Sequence, residues 1–279
     1  MMLRPMEGPD QRVRAFELEI SPSPSLLRFV QDATDAWVAL AQFDARADSL
    51  VVTAAAEVDH TPRADPLAGV DATVDAAPFA YPADEAAVLA PSMARRHPDE
   101  PDVDAWAARF RRRVGRTRLA TILQDMTHAL HDQLDYGVRL AGPPQSPAVT
   151  LARGGSCRDF AVLMIEAVRS LGLAARFASG YVYGEGAAVS SEKPGHTHAW
   201  VRAYLPECGW VDFDPTNGIV GNRGLIRVAA AADPGLTLPL HGAWRGLPRD
   251  ALGMEVRVDI AAEAAAAQPP APLRVADSG

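Results

Sequence analysis

Strands, then helices, then strands again: the sequence predicts a mixed fold in which a helix headed by a cysteine meets a sheet carrying a histidine and an aspartate. Three observations predict it. Residues 12–60 read as strands, helical periodicity occupies 84–171, and strand patterning returns over 174–214. Cys157, His198 and Asp214 fall in that order on the last helix and the strands behind it. A nucleophile, a base and an orienting carboxylate are the set needed for covalent catalysis by a thiol.

Each element follows from its own residues. Phe16, Leu18 and Ile20 alternate with Glu17 and Glu19, the period of a half-buried strand. Trp37 to Phe43 reads as a second strand, turned by the polar residues 44–49 into a third at Leu50 to Thr53, as a hairpin. Ser21 to Ser25 holds two prolines and is expected to be a connection or an edge. Residues 61–82 are rich in Pro, Asp and Ala and read as a linker. Helices are predicted over Asp84 to Arg96, Asp104 to Val114 and Thr117 to Leu134; Ile122, Leu123, Met126, Ala129, Leu130 and Leu134 line one face of the third. Residues 141–150 hold three prolines and are expected to be loop. A fourth helix begins at Ser156 or Cys157, with an apolar stripe of Phe160, Leu163, Met164, Ala167, Val168 and Leu171. Gly172 ends it as a left-handed cap. Strands follow at 174–183, 198–205 and 210–214, and Met254 to Ile260 alternates once more.

Bulk properties narrow the function classes. The chain has 279 residues, 48% of them hydrophobic, enough for a sizeable core. A net charge of −8 speaks against a nucleic-acid partner, which needs a basic face. The one basic run, Arg109 to Arg118, reads as a solvated helix face. No stretch approaches the roughly 18 apolar residues of a spanning helix, and residues 1–10 show no signal-peptide pattern. No membrane partner and a cytoplasmic location are therefore expected. Two cysteines make no disulfide framework, and both are expected to be free. No Cys/His spacing suggests a metal site. His128 and His131, the close pair on a helix, read as surface polar residues.

The chemistry at Cys157 follows from its position. A thiolate is the attacking form, and a helix N-terminus favours it through partial positive charge. Gly154 and Gly155 let the backbone approach closely, and the first-turn amides can donate to an oxyanion. Cys208, in a Pro-Glu-Cys-Gly turn, has no such setting.

The second leg is arithmetic. Opposed residues of an antiparallel pair share a constant sum. The midpoint of 198 and 214 is 206, a proline in the expected turn. Both numbers are even, so both side chains share one face, and direct opposition brings Cβ atoms within about 4.5–5.5 Å. Ala199, Val201, Ala203 and Leu205 then face the Cys157 helix, while Trp200 shares the His198 face and is a candidate wall of the site. His196 and Asp212 have the same parity and are the rival base and carboxylate.

Four stretches together resemble the transglutaminase-like superfamily, in its bacterial cysteine-peptidase-like branch. They are Gly155-Ser156-Cys157-Arg158-Asp159-Phe160-Ala161, the run from Leu171 to Tyr181, His198-Ala199-Trp200-Val201, and the run from Gly209 to Asn217. The resemblance implies an α+β, papain-like core, the nucleophile helix packed on an antiparallel sheet. The family's catalytic residues carry over onto Cys157, His198 and Asp214. Tyr136 is similar to an aromatic that often precedes the family's cysteine loop, and with Ser156 and Trp200 it is a candidate for the oxyanion or substrate side. No metal or organic cofactor is implied. Domain bounds follow: a small β-rich N-terminal domain over 1–75, a catalytic core with closing strands over 76–260, and a disordered tail over 261–279. The family's first domain usually starts with further strands, so this one is expected to be incomplete, open-edged or completed by another chain, and an open edge is a reason to form homo-oligomers. The alanine-rich 229–232 replaces a more polar stretch usual there, which bears on substrate preference.

The expected reaction is acyl transfer from an amide or peptide through a thioester, resolved by water (peptidase or amidase). A protein-glutamine amine transferase shares the triad. An arylamine acetyltransferase fits the cysteine loop but not the other motifs, and a silent scaffold is the reading from another class.

Overall fold

The computed structural model describes residues 1–68, 70, 79–111, 117–139, 142–184 and 196–261. Four strands come first: β1 (Gln11–Ser21), β2 (Leu26–Gln31), β3 (Trp37–Gln42) and β4 (Val51–His60). Five helices follow: α1 (Ala83–Met93), α2 (Pro101–Ala108), α3 (Leu119–Gln133), α4 (Pro147–Arg153) and α5 (Cys157–Ser170). The chain then forms β5 (Ala175–Val182), β6 (His196–Leu205), β7 (Gly209–Asp214), β8 (Ile219–Val220) and β9 (Leu225–Ala231). Among the described residues no helix is long and apolar enough to cross a membrane.

The N-terminal strands pair as β1 with β4 and β2 with β3, all antiparallel. The expected hairpin of Trp37 to Phe43 with Leu50 to Thr53 is therefore incorrect. β3 turns back on β2, whose sequence LLRFVQ has no alternation and is exposed throughout. The half-buried alternation of Phe16, Leu18 and Ile20 is present in β1.

Five antiparallel strands in the order β8-β7-β6-β5-β9 make the central sheet. Helix α5 lies on one face and is buried on all sides from Asp159 to Arg169, well beyond the predicted stripe. Ala199, Val201, Ala203 and Leu205 of β6 join it in the main core, as their odd numbering predicts, together with Leu123, Met126 and Leu130 of α3. On the other face Trp200 packs with Ala178, Val182, Leu225 and Ala230. The N-terminal segment docks on the edge strand β9: Gln11 donates to Arg227 O at 2.7 Å, and the Arg227 amide donates back to Gln11 Oε1 at 3.0 Å.

Buried charge inside α5 is fully paired. Glu166 takes Arg169 Nη1 at 3.2 Å and Arg95 Nε at 3.0 Å, and Arg169 also donates to the carbonyls of Ser92, Ala175 and Ala232. Such a pair tolerates burial because its remaining donors are satisfied.

Several bounds differ from expectation. α2 starts and ends earlier than 104–114; Phe110 and Arg111 lie beyond it, and the rest of the basic run at 112–116 lies outside the described residues. Residues 147–153 form a helix, not a loop, because Pro147 sits at its first position, where a missing amide costs nothing, and Ser146 caps it. Met254 to Ile260 forms no strand; the closing strand is β9, through the alanine-rich 229–231. The predicted tail at 262–279 lies outside the described residues.

Candidate active site

The helix headed by Cys157 is held at its N-terminus by one carboxylate. Asp159 is fully buried. Its Oδ2 accepts from the Ser156 amide at 2.8 Å and the Ser156 hydroxyl at 2.7 Å, while Oδ1 accepts from the Gln145 amide at 2.7 Å and Arg139 Nη1 at 3.0 Å. Burial pushes this carboxyl up, but the Gln145 and Ser156 donors with the Arg139 charge outweigh it and hold its pKa below the usual carboxylate value. Ser156 is consequently a structural cap. Its side chain is 3% exposed and its hydroxyl is committed to Asp159, which corrects its reading as a substrate or oxyanion group. Cys157 follows as the first helical residue, where the amide has no intrahelical acceptor and can serve a developing oxyanion.

Gly154 and Gly155 make the loop possible. The Gly155 amide donates to Asp135 O at 3.0 Å and the Gly137 amide donates to Gly155 O at 2.9 Å, a short ribbon that ties Tyr136 to the cysteine loop. Gly154 has φ of +72°, and a Cβ there would lie 2.0 Å from Asp135 O. With ψ of −169° this is a region essentially reserved for glycine, and an alanine held there costs about 1–3 kcal/mol before any clash. Gly154→Ala is expected to lower stability by at least that amount, read as a drop in the urea midpoint.

Tyr136 is 45% exposed and its ring meets Phe160 edge-on at 6.2 Å. Burial, then the charges of Cys157 and Asp214, push its phenol up to about 12, so it stays a neutral donor beside the thiol.

His198 and Asp214 meet, though not by the register expected. β6 and β7 pair Val201 with Phe213 and Leu205 with Gly209, so the midpoint is 207 rather than 206. Continued one step, that register sets Asp214 across from Trp200, with His198 on the diagonal. Parity still places both side chains on one face, and His198 Nε2 lies 2.8 Å from Asp214 Oδ2. The β6–β7 ladder stops at Val201 and Phe213; past that point the Ala199 amide donates to the Cys157 sulfur, and the His198 ring hydrogen-bonds it. With Nε2 on Asp214, Nδ1 is the nitrogen left for the thiol.

The electrostatics favour a thiolate–imidazolium pair. Burial pushes the Cys157 thiol up, but the hydrogen bond and charge of His198 and the Ala199 amide outweigh it, and its pKa falls below 9.0. Burial opposes charge on His198 too, yet Asp214 and the thiolate hold it protonated well above its ordinary 6.5. Asp214 is fully buried and anionic. Burial pushes it up, and His198, Asn217 and the Thr216 amide more than offset that.

Two supporting residues, Thr216 and Asn217, have no role readable from sequence alone, and a third, His131, reads there only as surface polar. Asn217 Nδ2 donates to Asp214 Oδ2 at 2.6 Å, and the amides of Thr216 and Asn217 donate to Oδ1 at 3.0 and 3.3 Å. The Asp-Pro-Thr-Asn run was the available signal, since aspartate caps amides two and three residues on. His131 pairs its Nδ1 with Thr216 O at 2.9 Å, so it braces the aspartate turn and is not simply surface polar. Asp212, the rival carboxylate, is taken by Trp200 Nε1 at 2.7 Å and by Arg202 and Arg227. Trp200 itself is fully buried and stacks on His198 at 6.1 Å and 21°, which places it behind the imidazole and corrects its reading as a substrate-side group.

Residues 105–215 match the family model of the transglutaminase-like superfamily, and residues 1–59 match that of the bacterial transglutaminase-like N-terminal region. An uncharacterized Mycobacterium leprae protein is 36% identical over 107 residues, covering 38% of this chain and 37% of that protein. A protein-glutamine gamma-glutamyltransferase of Pseudomonas aeruginosa is 36% identical over 107 residues, covering 34% of this chain and 16% of that enzyme. The chain thus spans well under half the length of the curated relatives it matches. The solved structure of a candidate cysteine protease from Cytophaga hutchinsonii superposes with a TM-score of 0.60 at 18% identity, over 84% of this chain and 75% of that one. At that identity the likeness is one of fold.

Proposed function

Since the chain belongs to the transglutaminase-like superfamily, we propose that it catalyses acyl transfer from an amide or peptide through a thioester on Cys157, with water as the usual acceptor. The observation that carries this reading is the relay itself: Asp214 on Nε2 of His198, and the Cys157 thiol hydrogen-bonded to the same ring.

In the proposed cycle the Cys157 thiolate attacks the carbonyl carbon, and the charge on oxygen is met by the amide of Cys157 and by the Tyr136 phenol beside it. His198 gives its proton to the leaving amine as the C–N bond breaks. The neutral imidazole then takes a proton from water, which attacks the thioester and releases a carboxylic acid. Asp214 stays ionised throughout and holds the ring. Cys157 is only partly buried and Tyr136 is open to solvent, so water reaches the thioester and competes well against any amine.

Amine transfer is the second reading, favoured by the Pseudomonas relative. One experiment separates the two. Glutamine-containing peptides are incubated with the protein, with and without a primary amine, and products are read by mass. Hydrolysis is expected, either as ammonia release or as backbone cleavage, with little amine incorporated. Dominant incorporation would establish the second reading. Identical product profiles from wild type and Cys157→Ala would overturn both.

A further inference from the structure

We infer that Trp200 is a positioning residue for His198, held in place by a buried ion chain that runs across the sheet to the N-terminal segment. The inference rests on His198 being the base of the proposed reaction. Asp214 at 2.8 Å and Asn217 Nδ2 at 3.3 Å both meet the same nitrogen, Nε2, so they hold one edge of the imidazole without by themselves fixing the plane of the ring. The indole face, stacked 6.1 Å away at 21°, supplies a second constraint and keeps Nδ1 aimed at the thiol.

The indole is itself pinned. Its Nε1 donates to Asp212 Oδ1 at 2.7 Å, in a residue 5% exposed. Asp212 lies 3.2 Å from Arg202 Nε and 3.7 Å from Arg227 Nη1. Arg227 reaches on to Asp10 at 3.1 Å, and Asp10 accepts from Asn222 Nδ2 at 2.7 Å. Anions and cations alternate along this line, so each charge is paired where an isolated one would be costly.

The strand beneath makes room for the indole. Gly180 sits directly across from His198 in β5. A Cβ there would lie 3.0 Å from Trp200 Cη2 and 2.0 Å from Ile226 O. Glycine inside a strand weakens it and marks a close approach, here of the ring and of the neighbouring backbone.

The test needs no substrate. Alkylation of Cys157 by iodoacetamide is followed by mass at pH 6 and pH 10 in wild type, Trp200→Phe and Asp212→Asn, with folding checked by circular dichroism. The ratio of the two rates reports how well His198 promotes the thiolate, and a purely structural role would leave that ratio alone. Trp200→Phe loses the anchor to Asp212 and is expected to lower the ratio about 5–10-fold, equivalent to roughly 1 kcal/mol or slightly more of lost pair stabilisation. Asp212→Asn keeps an acceptor for the indole and loses the charge, so about a twofold fall is expected, near 0.4 kcal/mol. A wild-type ratio in folded Trp200→Phe overturns the inference; should that variant not fold, Asp212→Asn decides by the same criterion. A wild-type protein showing no excess reactivity at pH 6 would instead remove the catalytic reading on which this one rests.

Discussion

Asp214→Ala is expected to lower turnover about 10³–10⁴-fold, the scale seen when the orienting carboxylate of a catalytic triad is disabled. Three effects act together. His198 Nε2 loses its partner, so the ring no longer has its edge fixed or its protonated form supported. The amides of Thr216 and Asn217 lose their acceptor, and the Asn217 side chain loses its own. A buried imidazolium loses one of its two charged partners and keeps only the thiolate, which costs up to about 3–5 kcal/mol or forces the ring neutral. The stability loss is therefore expected in a chemical melt alongside the loss of turnover.

The same carboxylate sets a pH dependence whose sign is fixed by the shifts. Asp214 has a depressed folded pKa, so its contribution is present above the unfolded value of about 3.9 and lost as pH falls through the folded one. His198 has a raised folded pKa, so its contribution is complete below about 6.5 and fades as pH rises toward the folded value. Their difference between wild type and Asp214→Ala should thus be greatest in the mildly acidic range between those two limits.

His198→Ala has the second large effect. Turnover should fall by more than about 10⁴-fold, because in the proposed cycle the residue is both the acid for the leaving amine and the charge that ionises the thiol. The thiol should respond as well. Burial alone pushes Cys157 up, and without the imidazolium only the Ala199 amide and the helix head remain to oppose it. The pH midpoint of the thiol is then expected to move upward, past its ordinary value.

Local physics made the site legible where it is dominated by local signals. The Gly154-Gly155-Ser156-Cys157 run, with Asp159 three residues past the cap, is a local signal for a helix start. The even numbering of 198 and 214 assigns one sheet face to both, because side-chain period survives errors of register. What escaped was the centre of the turn. Glu207 has φ of +66°, a conformation glutamate seldom takes, and Pro206 drew the expected midpoint one residue too early. An error of two in the register sum changes a direct pair to a diagonal one, and the long imidazole bridges the difference.

Elements set by tertiary context were less legible. β2 shows no alternation, so the sequence pattern alone pairs β3 with the next strand along, whereas β3 pairs with β2. Pro147 reads as a breaker until its place at the first position of α4 is known. Asp212 and Asp214 are equivalent by parity; only the partners around them, two arginines and an indole for one and an imidazole for the other, separate a structural carboxylate from an orienting one.

The rate of iodoacetamide labelling at Cys157 and Cys208, followed from pH 5 to pH 10 in wild type and His198→Ala, tests the relay most directly. Cys208 is the internal reference, since burial and the neighbouring Glu207 and Asp65 charges together outweigh Arg63 and hold its thiol above 9.0. Cys157 should label in the acid range where Cys208 is silent, and His198→Ala should bring its profile into line with that of Cys208. Matching profiles for the two thiols in wild type, or a Cys157 profile that His198→Ala leaves unmoved, would contradict it.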